Sequence, residues 1–313
     1  MKEFNKQYLR RFSYKHLAHT EYAFKLRPGR IDDVDTVGKI IFEAFSAIAD
    51  KHGFQREFPT VDTGRGLASS FLSNPGFYSV VAEGTGGEDK DRVVGSNFLD
   101  ERSNIVVGVG PITVDPKYQN KGIGRQLMID VLERAKIKNY PAVRLLQASY
   151  HNRSLALYVS LGFEVREPIS TLQGKPIRAV IPGRSVRPAT ESDVGSCNAI
   201  CKAVHGHDRN GELRDSIKQG SAEVVLHGDK ITGYTCGLTY FNHSVGLTND
   251  DLKALISSAI DYYGGPGILI PTRNTQLVRW CLNNGLRLVQ QLTLMTIGLY
   301  NEPAGFYMPS ILF

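Results

Sequence analysis

The residues of this chain best placed to do chemistry are Gln119, Asn120, Lys121, Gly122, Ile123, Gly124 and Arg125. Upstream of them, residues 105–114 are rich in β-branched side chains and end at Asp115-Pro116, where a strand cannot easily continue. Downstream, Leu127, Met128, Val131, Leu132 and Ala135 recur at helical spacing. The run therefore predicts a tight strand-to-helix turn whose glycines leave backbone N–H groups uncovered. A helix start offers unpaired donors and the positive end of the helix dipole, which suits an anion. Lys121 and Arg125 add positive charge, so the expected ligand carries phosphate. A nucleotide P-loop would need Gly-Lys followed by Ser or Thr, and a dinucleotide loop would need three glycines. Neither pattern is present.

The longer run V-D-P-K-Y-Q-N-K-G-I-G-R-Q-L, from Val114 to Leu127, resembles the acetyl-CoA pyrophosphate loop of the GNAT superfamily of N-acetyltransferases. A second run, H-N-R-S-L-A-L-Y-V-S-L-G-F from His151 to Phe163, is similar to a helix that the family carries after that loop. The order and spacing of the two runs also fit, and the resemblance spans roughly residues 24–180. It implies an acetyltransferase using acetyl-CoA as cosubstrate, with no metal. Ile112, Thr113 and Val114 would meet pantetheine through the main chain, residues 119–125 would wrap the pyrophosphate, and Asn152 and Arg153 would reach the cosubstrate from the later helix. The implied acceptor is a primary amine, on a small molecule or a peptide. The same resemblance admits a mycothiol-synthase-like acetyltransferase, and a non-catalytic acyl-CoA-binding or sensing protein is the rival from another class.

Tyr158 is the candidate general acid. A phenol with a pKa near ~10 is protonated at neutral pH and can donate to a thiolate whose acid has a pKa of about 8.5. The same tyrosine, set among leucines, also reads as core. The base stays open. The strand before the loop has no acidic residue, which leaves Asp100 and Glu101 just ahead of it, and His52, Glu57 and Asp62 between the first helices. Residues 51–59, with Gly53, Phe54, Phe58 and Pro59, read as a shaped acceptor wall rather than a plain connection.

The elements that must hold these groups come twice. Leu26-Arg27-Pro28 followed by Asp32-Asp33 returns as Val186-Arg187-Pro188 followed by Asp193, in each case a strand broken by proline and entering a helix at an acidic cap. The segment from Asn152 to Gly162 returns from Asn274 to Gly285. The expected fold is α/β: two tandem GNAT-like domains, each a mixed, mostly antiparallel sheet flanked by helices. Expected divisions are a basic N-terminal extension (1–22), a catalytic domain (23–182), a degenerate domain (183–300) and an apolar tail (301–313). The second copy has Asp250 and Asp251 in place of the glycine loop and Trp280 in place of Tyr158. Aspartate at a helix start satisfies the dipole internally and repels an anion, so this copy is expected to have lost the cosubstrate.

The 313 residues suffice for two cores, and 42% hydrophobic with 22% charged residues fits a globular chain. No apolar run approaches a membrane span, and no signal core follows the first basic residues. The net charge of +6 is scattered and accompanies no nucleic-acid motif, so neither nucleic acid nor membrane is an expected partner. Cys197, Cys201, His205 and His207 could be drawn as a metal cluster, but Val194, Cys197, Cys201 and Val204 read as one apolar helix face. Four cysteines without a disulfide pattern point to a reducing cytoplasm. The apolar chain end is expected to dock on its own chain or on a second copy in a homodimer.

Overall fold

Both halves of the chain open with an arginine forked onto an aspartate six residues later. The computed structural model describes residues 23–262 and 266–312, so the basic extension lies outside the described residues. Arg27 donates through Nη1 and Nη2 to Asp33 at 2.8 Å each, and Arg187 does the same to Asp193, also at 2.8 Å. Pro28 and Pro188 end strands β1 (Phe24–Pro28) and β8 (Arg184–Pro188), and each aspartate then leads into a helix. These helices are α1 (Val34–His52) and α5 (Val194–His205).

From α1 the first half continues with α2 (Val61–Ser73), β2 (Phe77–Gly84), β3 (Val93–Asp100), β4 (Val106–Val109), β5 (Thr113–Val114), α3 (Ile123–Ile137), β6 (Ala142–Ala148), α4 (Asn152–Ser160) and β7 (Glu164–Gln173). The second half follows the same plan: α6 (Asn210–Gln219), β9 (Glu223–His227), β10 (Lys230–Thr235), β11 (Ser244–Gly246), α7 (Asn249–Ser258), β12 (Ile268–Pro271), α8 (Thr275–Asn283) and β13 (Arg287–Gly298). It ends with β14 (Phe306–Met308). Helices flank one mixed, mostly antiparallel sheet and one antiparallel sheet, so the α/β expectation holds.

Strands from the two repeats interlock. One sheet runs β1-β2-β3-β4-β6-β13-β7-β12, with β5 on β3; the other runs β14-β11-β10-β9-β8. The second repeat thus inserts its last long strand, β13, between β6 and β7, while β7 pairs on its other edge with β12. Burial on both faces explains the apolar runs in β6 and β12.

The chain end docks on its own chain. β14 pairs with β11 (Val245↔Tyr307), and Met308 joins the apolar cluster containing Ile268 and Ile270 of β12. It therefore packs into the gap between β11 and β12. Beyond it, the Ile311 N–H donates to the Tyr240 carbonyl at 2.9 Å. Leu312 lies so close to β4 that a Cβ on Gly108 would collide with its carbonyl oxygen. Gly108→Ala is therefore expected to unseat residues 309–312 at a cost of about 1–3 kcal/mol. A lowered thermal midpoint with faster C-terminal proteolysis is the expected readout; an unchanged melt would refute the close approach.

Candidate active site

The strand expected over residues 105–114 is interrupted at Pro111, which has no N–H to give to a ladder. The interruption makes the site. β4 and β6 pair in parallel only from Val106↔Ala142 to Gly108↔Arg144. Beyond that point the chain keeps only β3, where Val109 pairs with Leu99 and Thr113 with Ser96, while β6 stays on β13. The two strands splay, and a cavity of about 670 Å³ opens between residues 109–114 and 145–148. Ile112, Thr113 and Val114 line it, and the last two pair with β3.

At one end lies the start of α3. Gly122 is its N-cap in the left-handed region (φ 79°), no side chain caps the helix, and its first turn holds no acid. The first N–H groups thus have no partner within the helix. Gln119, Asn120, Gly122, Ile123, Gly124 and Arg125 line the cavity here. Lys121 does not; its Nζ sits 5.4 Å from the centre of the Tyr118 ring. Arg153 lines the cavity and also braces the loop, donating to Asn120 Oδ1 at 2.8 Å and Gln119 Oε1 at 2.6 Å. Asn152 lines it beside Arg153.

The equivalent helix start in the second half is closed by its own residues. Asp251 accepts the Thr248 N–H at 2.8 Å, Thr248 Oγ1 accepts the Asp251 N–H, and Arg184 pairs with Asp251 at 2.6 Å. Asp251 is fully buried. Trp280 packs against the second half's core.

Tyr158 stands on α4, buried, with its ring 6.0 Å from that of Phe163. It belongs to the first core cluster and also lines the cavity, so both sequence readings describe it. Burial raises its pKa and keeps the phenol protonated.

The acids separate clearly. Asp100 is held by Arg102 at 2.6 Å, and Glu101 by Arg134 at 2.7 Å; neither lines the cavity. Asp62 is exposed and paired with Arg65. Glu57 is the carboxylate on the cavity wall. Its loop leaves α1 at Gly53, is turned back by Arg56 bound to Asp50 at 2.6 and 2.8 Å, and is pinned by Phe58 edge-on to Phe45. Glu57 is thereby buried, and Oε1 accepts from Gln290 Nε2 on β13 at 3.1 Å. Burial pushes its pKa up to about 7, opposed by that hydrogen bond.

His52 and Phe58 line the cavity as expected, whereas Phe54 stacks on Tyr150, which lines it instead, at 4.1 Å. His151 also lines it; burial and nearby Arg153 lower its pKa to about 4, so the ring is neutral. Tyr240, Phe241, Leu292, Ile311 and Leu312 complete the wall, all from the second half. Nothing in their sequence spacing signals this, because β13 and the tail reach the cavity only through the interlocked sheet. Cys197 and Cys201 lie in an apolar cluster away from it, and His205 Nε2 stands 3.0 Å from His243 Nε2. Among the described residues no group of three His, Cys, Asp or Glu is arranged to hold a metal.

Residues 76–165, which contain the splay, the bare helix start and Tyr158, match the family model of the acetyltransferase (GNAT) domain. A GNAT acetyltransferase domain is thereby identified over residues 76–165. The chain's fold is similar to that of a candidate acetyltransferase from Pyrococcus horikoshii, at 19% identity, TM-score 0.71, and 93% and 97% coverage of this chain and that one. It is also similar to a GCN5-related N-acetyltransferase from Sphaerobacter thermophilus (13% identity, TM-score 0.59, 89% and 96% coverage). A tandem GNAT protein from the clavulanic acid biosynthesis pathway matches at 14% identity and TM-score 0.54, over 88% of this chain and 98% of that one. These likenesses are of fold, and they extend over most of the chain. A comparison with curated proteins gives no match. No described helix is long and apolar enough to cross a membrane.

Proposed function

We propose that the chain transfers the acetyl group of acetyl-CoA to a primary amine by direct attack in a ternary complex. The observation that carries this reading is that one cavity has the uncapped start of α3 on its wall together with Tyr158 and buried Glu57. The residues fit the cosubstrate: at Gly124 an added Cβ would meet only Val114 Cγ2, at 3.7 Å, leaving a cradle open to a phosphate. Acetyl-CoA supplies an activated thioester when bound. The main chain of residues 109–114 orients it, and the N–H groups at the start of α3 hold its pyrophosphate. Glu57, once ionised, accepts a proton from the amine nitrogen as that nitrogen bonds to the acetyl carbon. Tyr158 donates its hydroxyl proton to the sulfur as the carbon–sulfur bond breaks. No cysteine lies among residues 23–182 and none lines the cavity, which favours direct attack over a cysteine-bound acyl group. A purely sensing protein would have no use for an acid and a base on the same wall.

The division into a catalytic unit over 23–182 and a degenerate one over 183–300 belongs to the same proposal, with the second unit supplying Gln290 and adding Tyr240, Phe241 and Leu292 to the wall. An amine screen read by free thiol release, with Tyr158→Phe as control, tests the reading. Amine-dependent release supports it; acetyl-CoA binding without release across the panel overturns it. Gly124→Val is expected to weaken acetyl-CoA binding at least ~100-fold by filling the cradle, with little change in the melt. Calorimetry showing normal affinity would remove the loop from the site.

A further inference from the structure

We propose that the acceptor is a hydrophobic monoamine, a primary amine on an aromatic or branched aliphatic body with no second charge. This rests on the acetyltransferase reading above and narrows its substrate. The acceptor wall is built by Phe45, Phe58, Tyr240, Phe241, Leu292 and Ile311. The rings of Phe45 and Phe58 meet edge to face at 5.2 Å, and those of Tyr240 and Phe241 at 5.6 Å. Phe241 and Ile311 pack with Phe45 and Phe58 on one side and with Tyr240 and Leu292 on the other, making the apolar surface continuous.

Charge on this surface is confined to one point. Glu57 is the single carboxylate among the described lining residues, and its hydrogen bond comes from the neutral amide of Gln290. An incoming ammonium thus supplies the cation that Glu57 lacks nearby; it loses one proton to water before attack, and Glu57 takes the second as the carbon–nitrogen bond forms. A diamine would bring a second ammonium against rings and aliphatic groups, where an unpaired charge is costly. An α-amino acid would set its own carboxylate beside Glu57. The lining cations lie elsewhere: Lys51 is exposed, Arg125 stands at the phosphate loop, and Arg153 reaches that loop from α4. Apolar body, by contrast, is favoured throughout, each buried methylene being worth about fourfold in affinity.

The test measures kcat/KM at saturating acetyl-CoA for 2-phenylethylamine, n-alkylamines of increasing length, 1,4-diaminobutane and glycine. The expected result is a rise of about threefold to fourfold per methylene, with the aryl amine at least ~10-fold above diamine and amino acid. Ile311→Ala and the milder Phe241→Leu should raise KM for the aryl amine more than for a short alkylamine, while acetyl-CoA affinity stays the same. A wild type that prefers the diamine or glycine, or does not discriminate, overturns the substrate class but leaves acetyl transfer standing. Acetyl-CoA binding by calorimetry with no thiol release from any amine overturns the underlying reading, and the class with it.

Discussion

Glu57→Gln is expected to lower kcat/KM by about 10²–10⁴-fold at pH 8, the range typical of losing a positioned base. The substitution keeps the shape of the side chain and an acceptor for Gln290 Nε2, so acetyl-CoA affinity should not change. Because burial pushes the Glu57 carboxyl up to about 7, the base form accumulates only as pH rises through that value. The wild-type kcat/KM should rise with a midpoint near 7, and the variant should lose that limb. Stability should move the other way. Between the ordinary value of 4.5 and about 7 the folded chain holds a proton that the unfolded chain has released. Folding therefore weakens as pH rises across that window, by about 3 kcal/mol in total. Above it, the neutral glutamine removes the penalty, so the variant should melt higher than wild type at pH 8 and equally at pH 4. A variant with wild-type turnover would reject Glu57 as the base.

Tyr158→Phe should slow turnover by at least ~10²-fold with acetyl-CoA affinity intact. The phenylalanine ring fills the same place against Phe163 in the core and removes only the hydroxyl. Burial holds the tyrosine protonated well beyond neutral pH, so it should add no alkaline limb of its own. Turnover equal to wild type with every accepted amine would reduce Tyr158 to a packing residue.

Much of the site is local and therefore readable along the chain. The helix after the loop, α3, covers Leu127 to Ala135 as the apolar spacing requires. Residues 119–125 lie on the cavity except for Lys121, whose long side chain found the Tyr118 ring instead. Spacing along an element states where a backbone goes, but not where a flexible lysine points. The repeat was equally legible, because its Arg–Asp fork closes within six residues in both copies.

Asp100, Glu101, Asp62 and Glu57 are equivalent on paper, since a carboxylate's chemistry depends on its surroundings. Arginines neutralise the first three, while packing of the 53–60 loop buries the fourth. Gln290 lies 233 positions away, and no periodicity reports such a contact. The far wall of the cavity follows the same rule, because Tyr240, Leu292 and Ile311 reach it only after the two repeats exchange strands.

By itself, then, the amino-acid sequence determined an α/β chain of two related halves, the glycine-rich helix start and Tyr158, all set by residue type and spacing within single elements. The tertiary structure decided which acid faces the cavity and which residues of the second half complete its wall. Those depend on burial and on contacts between distant strands, which exist only once the sheet is assembled.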